Sequence, residues 1–341
     1  MNPKLALDDA SMAARIAALV RGRQPGARDV QVTGVKALSG GNARRAWAFD
    51  ASWSDGAGRH TQPCVLLARL EAGQLEVDML REFATLSALH PTGLPVPQAL
   101  WLDEGGALLG MPGFVMARGE GRAGATDLLK PGSTVTRTLS VQLMRIAAQL
   151  HALDFNALRP SLVPPGDPRD APRRVLLQWE DQFRNQRMEP LPALASVFGW
   201  LRRHLPATPC IAVVHGDFRL GNFLHANGLI TLLLDWEISH LGDPLEDLAW
   251  AYRRMWGPQE FLSIEEAVKV YEVAGGRKRD PRDLAWYRIF SEAKFAVISL
   301  TAARSFIDGR TDNLRLSDRA SMVNGCLRLA HQWIAEQEAA R

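Results

Sequence analysis

Apolar positions change rhythm along the chain, alternating through much of the first 117 residues and recurring at helical spacing beyond them. Met12, Ile16 and Leu19 stand three or four apart, which predicts an amphipathic helix over 11–20. Strand-like stretches cover 30–38 and 46–53, separated by Ser39-Gly40-Gly41-Asn42, and a further one covers 64–70. Residues 77–89 read as a helix with Met79, Phe83 and Leu86 on its apolar face, and 108–117 as a strand. From 118 onward the pattern is mostly helical, with an exception near 211–236. Pro160, Pro164, Pro165, Pro168 and Pro172 mark a long loop, because proline cannot continue a helix. A sheet-rich part followed by a helical part predicts an α+β chain of two lobes, 1–117 and 118–341, with a cleft between them.

Composition narrows the function classes. A chain of 341 residues, 47% of them hydrophobic, can bury the cores of two lobes. A net charge of +3 without a Lys/Arg block argues against a nucleic-acid partner. Cys64, Cys210 and Cys326 have no metal-site spacing, so a reducing, cytoplasmic setting is expected. The first twenty residues include Asp8 and Asp9 and lack a continuous apolar core, so neither a signal peptide nor a membrane anchor is expected there. No run approaches the ~20 apolar residues that span a bilayer.

The chemistry concentrates in His215-Gly216-Asp217-Phe218-Arg219-Leu220-Gly221-Asn222 and in Asp235-Trp236-Glu237. An Asp, an Asn five positions on and a second Asp past the next strand suit phosphoryl transfer. One carboxylate orients the attacking hydroxyl and accepts its proton, while an amide oxygen and the other carboxylate hold Mg²⁺ on nucleotide phosphates. Asn227-Gly228 between apolar runs predicts a two-residue hairpin turn. Counting outward from that turn puts Asn222 opposite Leu233, with Asp235 two residues further on the same face, an offset of about 7 Å.

HGDxxxxN followed by Asp-Trp-Glu resembles the aminoglycoside phosphotransferase family, relatives of the eukaryotic-type protein kinases. "VVHGDFRLGN", "LLLDWEISHLGDPLEDLAW" and "LPVPQALWLDE" resemble the branch fused to, or encoded beside, acyl-CoA dehydrogenases. The resemblance runs from the glycine loop to the last third of the chain. It implies a bilobal protein-kinase-like fold, with an antiparallel sheet and one helix in the small lobe and a larger, mostly helical lobe. Asp217 would be catalytic, Asn222 and Asp235 would bind Mg²⁺, and ATP or GTP would be the co-substrate. Gly40, Gly41 and Asn42 would cover the nucleotide phosphates, although a Gly-Gly hairpin without a ligand fits the same residues. No Lys lies in 64–70; Arg69 takes the place where relatives often carry Arg, and a guanidinium still binds phosphate. Its partner would be Glu82, with Glu76 and Asp78 as competitors. Met116 and Ala117 end the strand that would meet the nucleotide base. Asp247 would bond to the catalytic-loop backbone.

Local rules read Asp243, Pro244 and Glu246 as the cap, first position and capping-box residue of a helix. Glu237 either touches the outer shell of Mg²⁺ or faces solvent. Trp179, Trp200, Trp250, Trp256, Trp286 and Trp333 read as core. Arg184, Arg187, Arg202, Arg203, Arg253, Arg254 and Arg304 read as mostly solvated, with some available to an anionic substrate.

The expected function is a phosphotransferase moving the γ-phosphate of ATP or GTP to the hydroxyl of a small metabolite, with a hydroxyacyl-CoA or similar compound preferred. Alternatives are an aminoglycoside phosphotransferase and an inactive nucleotide-binding module. Retention of Asp217, Asn222 and Asp235 together argues against inactivity. A metal-dependent hydrolase would need an HxH or HExxH spacing that the chain lacks.

Overall fold

A computed structural model describes residues 9–38, 44–69, 79–155, 167–207 and 210–340. Gly40, Gly41 and Asn42, together with Glu76 and Asp78, lie outside the described residues. The chain forms two compact units, 1–119 and 120–341.

The first unit opens with helix α1 (Asp9–Arg23), then strands β1 (Arg28–Leu38), β2 (Arg44–Asp55) and β3 (Gly58–Arg69). Helix α2 (Met79–Leu89) follows, then β4 (Ala99–Asp103) and β5 (Gly113–Ala117). The five strands form one antiparallel sheet in the order β1-β2-β3-β5-β4. Strand alternation sorts β2 into two faces. Trp47, Phe49, Ala51 and Trp53 pack with Cys64, Leu66, Trp101 and Val115 against Met12, Ile16 and Leu19 of α1. On the other face Ala46, Ala48 and Arg44 stand opposite Leu67, Val65 and Arg69 of β3. Phe83 of α2 meets Phe114 of β5 edge-on at 5.8 Å.

Two expectations change here. The strand read over 108–117 is confined to Gly113–Ala117, because the Asp103 carboxylate accepts N–H bonds from Ala107, Leu108 and Leu109 at 2.7–3.1 Å. That turn places Leu109 in the core instead of extending the strand. Strand β4 has no counterpart in the pattern reading; it is only five residues long, follows two prolines, and buries Trp101 and Asp103 on one face while its other positions are half-buried.

The second unit carries helices α3 (Ala125–Leu128), α4 (Thr136–His151), α5 (Ala171–Gln186) and α6 (Pro192–Arg203), then short strands β6 (Ala212–Val214), β7 (Phe223–Ala226), β8 (Leu229–Leu233) and β9 (His240–Gly242). Helices α7 (Leu245–Ala251), α8 (Ile264–Val273), α9 (Pro281–Ile307), α10 (Leu314–Ser317) and α11 (Met322–Ala339) complete it. Pro172 does not extend the loop; it sits in the first turn of α5, where its missing N–H has no intrahelical acceptor to lose. α9 is the unit's axis. Trp286, Tyr287, Phe290 and Phe295 are buried along it, and α5, α6, α7 and α11 pack around it.

Candidate active site

Strands β6 and β7 bracket the loop that carries His215 to Asn222. Asn227 and Gly228 have φ of 51° and 76°, the left-handed pair a type I′ turn requires, so the β7–β8 hairpin closes where the sequence places it. Gln142 of α4 braces the turn, donating to the Gly228 carbonyl at 2.7 Å and accepting from the Ile230 N–H at 3.0 Å.

The register beyond the turn differs from the simple count. Ala226 pairs with Leu229 and His225 with Ile230, but Leu224 pairs with Leu232 and Phe223 with Leu233. Thr231 is thus an extra residue, a bulge, and Asn222 meets Leu234 instead of Leu233: the Leu234 N–H donates to the Asn222 carbonyl at 2.8 Å. Asp235 follows directly, in the left-handed conformation at φ 68°. Strand alternation ends there. It is the tie between Asn222 and Leu234, and not a shared strand face, that brings Asp235 beside the loop. A non-glycine residue at positive φ is uncommon and is concentrated at functional positions.

Asp217 is bound from several directions. Its Oδ2 accepts from Asn222 Nδ2 at 2.5 Å, and its Oδ1 accepts from Trp250 Nε1 at 2.5 Å and from Arg219 Nε at 3.0 Å. Asn222 Nδ2 also donates to the Asp217 carbonyl at 2.9 Å. With its NH₂ group turned to Asp217, Asn222 keeps its amide oxygen for another partner, the atom a magnesium ion takes. An amide oxygen and a carboxylate suit Mg²⁺, which holds few protein oxygens and completes its shell with phosphate and water. Among the described residues there is no cluster of three or more His, Cys, Asp or Glu side chains able to hold a metal by themselves.

His215 is fully buried and its pKa is lowered, because burial outweighs the Asp247, Asp217 and Asp235 charges nearby. The neutral ring accepts the Asp217 N–H at Nδ1 (3.2 Å) and donates from Nε2 to the Leu234 carbonyl (2.9 Å). It thereby ties the His215–Asn222 loop to the residue preceding Asp235. Asp247 accepts the N–H groups of His215 (2.8 Å) and Gly216 (2.9 Å), and His151 approaches it at 3.2 Å. Burial alone would raise the Asp247 pKa; the hydrogen bond and charge of His151 reverse that, and it is lowered.

The capping box read at Glu246 does not form. α7 begins without a side-chain cap, and Glu246 is instead buried against Lys294 Nζ at 2.9 Å and His240 Nε2 at 3.1 Å. Burial would raise the Glu246 pKa, but the Lys294 and His240 charges bring it down to about 2. Lys294 also donates to the Gly216 carbonyl at 2.6 Å. Asp243 does accept the Leu245 N–H at 3.0 Å, while paired with Arg279 at 2.7 Å.

A model of the phosphotransferase enzyme family, known by the abbreviation APH, matches residues 35–288, well over half of the chain. The chain belongs to that family. Its fold is α+β and kinase-like. Among curated proteins it is similar to mouse acyl-CoA dehydrogenase family member 10, 32% identical over 185 residues that make up 53% of this chain and 17% of the relative. Rat acyl-CoA dehydrogenase family member 11 is 31% identical over 202 residues, 57% of this chain and 25% of the relative. The matched stretch is thus a minor part of each relative. Among solved structures, a Ralstonia eutropha protein described as a candidate aminoglycoside phosphotransferase covers 94% of this chain and 98% of its own, with TM-score 0.72 and 21% identity. Aminoglycoside phosphotransferase APH(4)-Ia, in a ternary complex with ADP and hygromycin B, covers 92% and 97%, with TM-score 0.60 and 18% identity. A GDP and kanamycin complex of another aminoglycoside phosphotransferase covers 93% and 97%, with TM-score 0.60 and 16% identity. These likenesses are of fold. No described helix is long and apolar enough to cross a membrane.

In the first unit of the phosphotransferase, Arg69 ends β3, exposed and directly opposite Arg44 of β2. Glu82 is buried and accepts a short hydrogen bond from Arg44, so the strand cation bound to the α2 carboxylate includes Arg44, a residue given no role by the sequence pattern. The N–H groups of Ala117 and Arg118 already donate to Gln98 and Pro63 carbonyls at 2.9 Å. In the second unit, three contributors escape sequence reasoning. Trp250 reads as core, yet its N–H is spent on Asp217. Arg219 sits inside the motif and has no assigned task there. Lys294 offers one local signal: a lone cation in an apolar helical stretch has to be buried with a partner.

Proposed function

We propose that this phosphotransferase uses a Mg²⁺-bound ATP or GTP and phosphorylates a hydroxyl of a small anionic metabolite, of which a hydroxyacyl-CoA is the preferred example. The observation that carries this reading is the closed loop of bonds Asp217–Asn222–Leu234–His215, which ties the Asp217 carboxylate and the Asn222 amide to the residue preceding Asp235. Asp217 faces the acceptor: it orients the hydroxyl and takes its proton as the acceptor oxygen bonds to phosphorus and the bond to the departing nucleotide oxygen breaks. Asn222 and Asp235 would hold the ion. When bound, Mg²⁺ neutralises charge on the phosphates. Residues 1–117 would form the nucleotide-binding lobe, with Arg69, Gly40, Gly41 and Asn42 on the phosphates, Glu82 steadying the cations, and Met116 and Ala117 at the base. Residues 118–341 would supply catalysis and the acceptor surface. The relatives named for acyl-CoA dehydrogenases motivate the choice of acceptor.

The test separates the roles. Asp217→Asn is expected to cut transfer by roughly 10²–10⁴-fold while calorimetric Mg-nucleotide binding persists. Asp235→Asn is expected to weaken that binding itself. The reverse pattern would overturn the assignment, and turnover of kanamycin with none of 4-hydroxypentanoyl-CoA would overturn the acceptor.

A further inference from the structure

Around Asp217 the second unit gathers three guanidinium groups on two aromatic rings. Arg219, bonded to Asp217, lies 5.0 Å from the centroid of Trp256. Arg253 lies 5.0 Å from the same centroid and 3.7 Å from that of Phe295. Arg319, from the single turn between α10 and α11, lies 5.7 Å from Phe295. Trp256 and Phe295 are 5.4 Å apart, and Trp256 is 5.0 Å from Trp250, whose N–H holds Asp217. The rings fix these cations through their faces without neutralising them.

Charge is not balanced within this group. Arg219 has Asp217 and Arg253 has Glu292 at 2.7 Å, but Arg319, set against Phe295, bonds to no acid among the described residues. Arg253, 6% exposed, leaves its Nε and Nη1 atoms without an acceptor. Three cations against two carboxylates leave an excess of one, and that excess rises when Asp217 takes up the acceptor's proton. Burial and the Arg219 and Arg253 charges push the Arg319 pKa down, while Asp217 counters them, so Arg319 senses the same small space. Like charges at such spacing are costly unless an anion joins them. A polycationic amino sugar would add to the repulsion.

We infer that Arg319, with Arg253 behind it and Arg219 beside Asp217, forms an anion subsite of the acceptor, so that the substrate carries a negatively charged group which this cluster receives. This rests on the reading that Asp217 faces that hydroxyl. The anion is a carboxylate or a phosphate. Arg319 is a specificity residue: it selects the acceptor without acting on the hydroxyl.

The deciding experiment pairs binding with turnover. Butanoate and butanoyl-CoA, which carry the two kinds of anion but no hydroxyl, are titrated calorimetrically into the wild type, Arg319→Gln and Arg319→Lys. 4-Hydroxypentanoate, 4-hydroxypentanoyl-CoA and neutral 4-hydroxypentanamide are assayed as acceptors. The wild type should bind at least one anion and prefer the corresponding acceptor over the amide. Arg319→Gln should weaken that binding and raise the acceptor KM by about tenfold with a smaller change in kcat, and Arg319→Lys should recover part of both, with thermal melts checking the fold. Which anion responds distinguishes carboxylate from phosphate. Failure of the wild type to bind either anion, or equal binding by Arg319→Gln, would overturn the subsite. Binding lost in the variant but no transfer to any acceptor would retain the subsite and sink the proposed acceptor reaction instead.

Discussion

The two sides of the catalytic loop differ in how their charges are satisfied. Behind the loop, Asp247, His151, Lys294, Glu246 and His240 are linked to one another and to the backbone of His215 and Gly216. Each carboxylate there meets a basic side chain or backbone N–H groups, and Lys294 meets Glu246. In front, Arg219, Arg253 and Arg319 share two acids among three cations. A buried network that closes on itself positions the loop and has nothing left to bind. A group of cations that does not close is organised for something that arrives later. The comparison sorts charged residues near Asp217 by role in a way that burial alone does not, since Lys294 and Arg253 are both buried.

The largest effect is expected from opening the closed side. Lys294→Met leaves Glu246 buried beside the Gly216 carbonyl without its main cation, and stability is expected to fall by about 3–5 kcal/mol in chemical denaturation. Adding Glu246→Leu should restore most of the loss, because a paired absence costs far less than a stranded charge. No recovery in the double variant would mean that the Lys294 contact with Gly216 is the dominant part.

Acid should act on the closed side in a defined window. The folded-state pKa of Glu246 is held near 2 against an ordinary value of 4.5. Its ionised form therefore contributes stability that is complete above the ordinary value and is lost as pH falls through the folded one. The amount is on the order of 3 kcal/mol. Denaturation midpoints between pH 5 and 2 should fall steeply in the wild type and less steeply in Glu246→Gln. His240 behaves oppositely. Burial would lower its pKa, but Glu246 raises it, so its contribution is complete below the ordinary histidine value and is lost as pH rises through the folded one.

On the front side the effect should appear in activity. Trp250→Phe removes the N–H that holds Asp217 and leaves a smaller phenyl ring in place of the buried indole. A hydrogen bond to a charged group contributes about 1.5–3 kcal/mol, so kcat should fall by roughly tenfold or somewhat more, with a moderate drop in melting temperature from the volume lost in the core. A large loss of stability with normal kcat would move Trp250 to the structural side. The smallest change is expected away from both sides. Arg137 and Glu266 are paired at 2.9 Å but about half exposed, and Arg137→Ala should cost no more than about 1 kcal/mol. It calibrates the buried effects.

Some of the site is legible because its constraints are local. The spacing from Asp217 to Asn222 and the Asn227-Gly228 turn operate within a few residues, and both take the expected form. The alternating face of β2 likewise follows from the period of an extended strand. The register of Asp235 is misread because one residue, Thr231, bulges, and no local preference announces it. The predicted capping box at Glu246 obeys a local rule that a stronger distant pairing overrides. Arg44 bonds Glu82 and stands at the same level as Arg69 on the neighbouring strand, a juxtaposition that only the strand register reveals.

The reaction class and most of the elements that carry it are written in runs of neighbouring residues, since turn chemistry, strand alternation and motif spacing are local properties. Tertiary structure alone decided which ions close into a network and which remain open. Lys294 reaches Gly216 and Arg319 reaches the rings beside Asp217 only after the helices pack, and the energy of a buried charge depends on what that packing places around it.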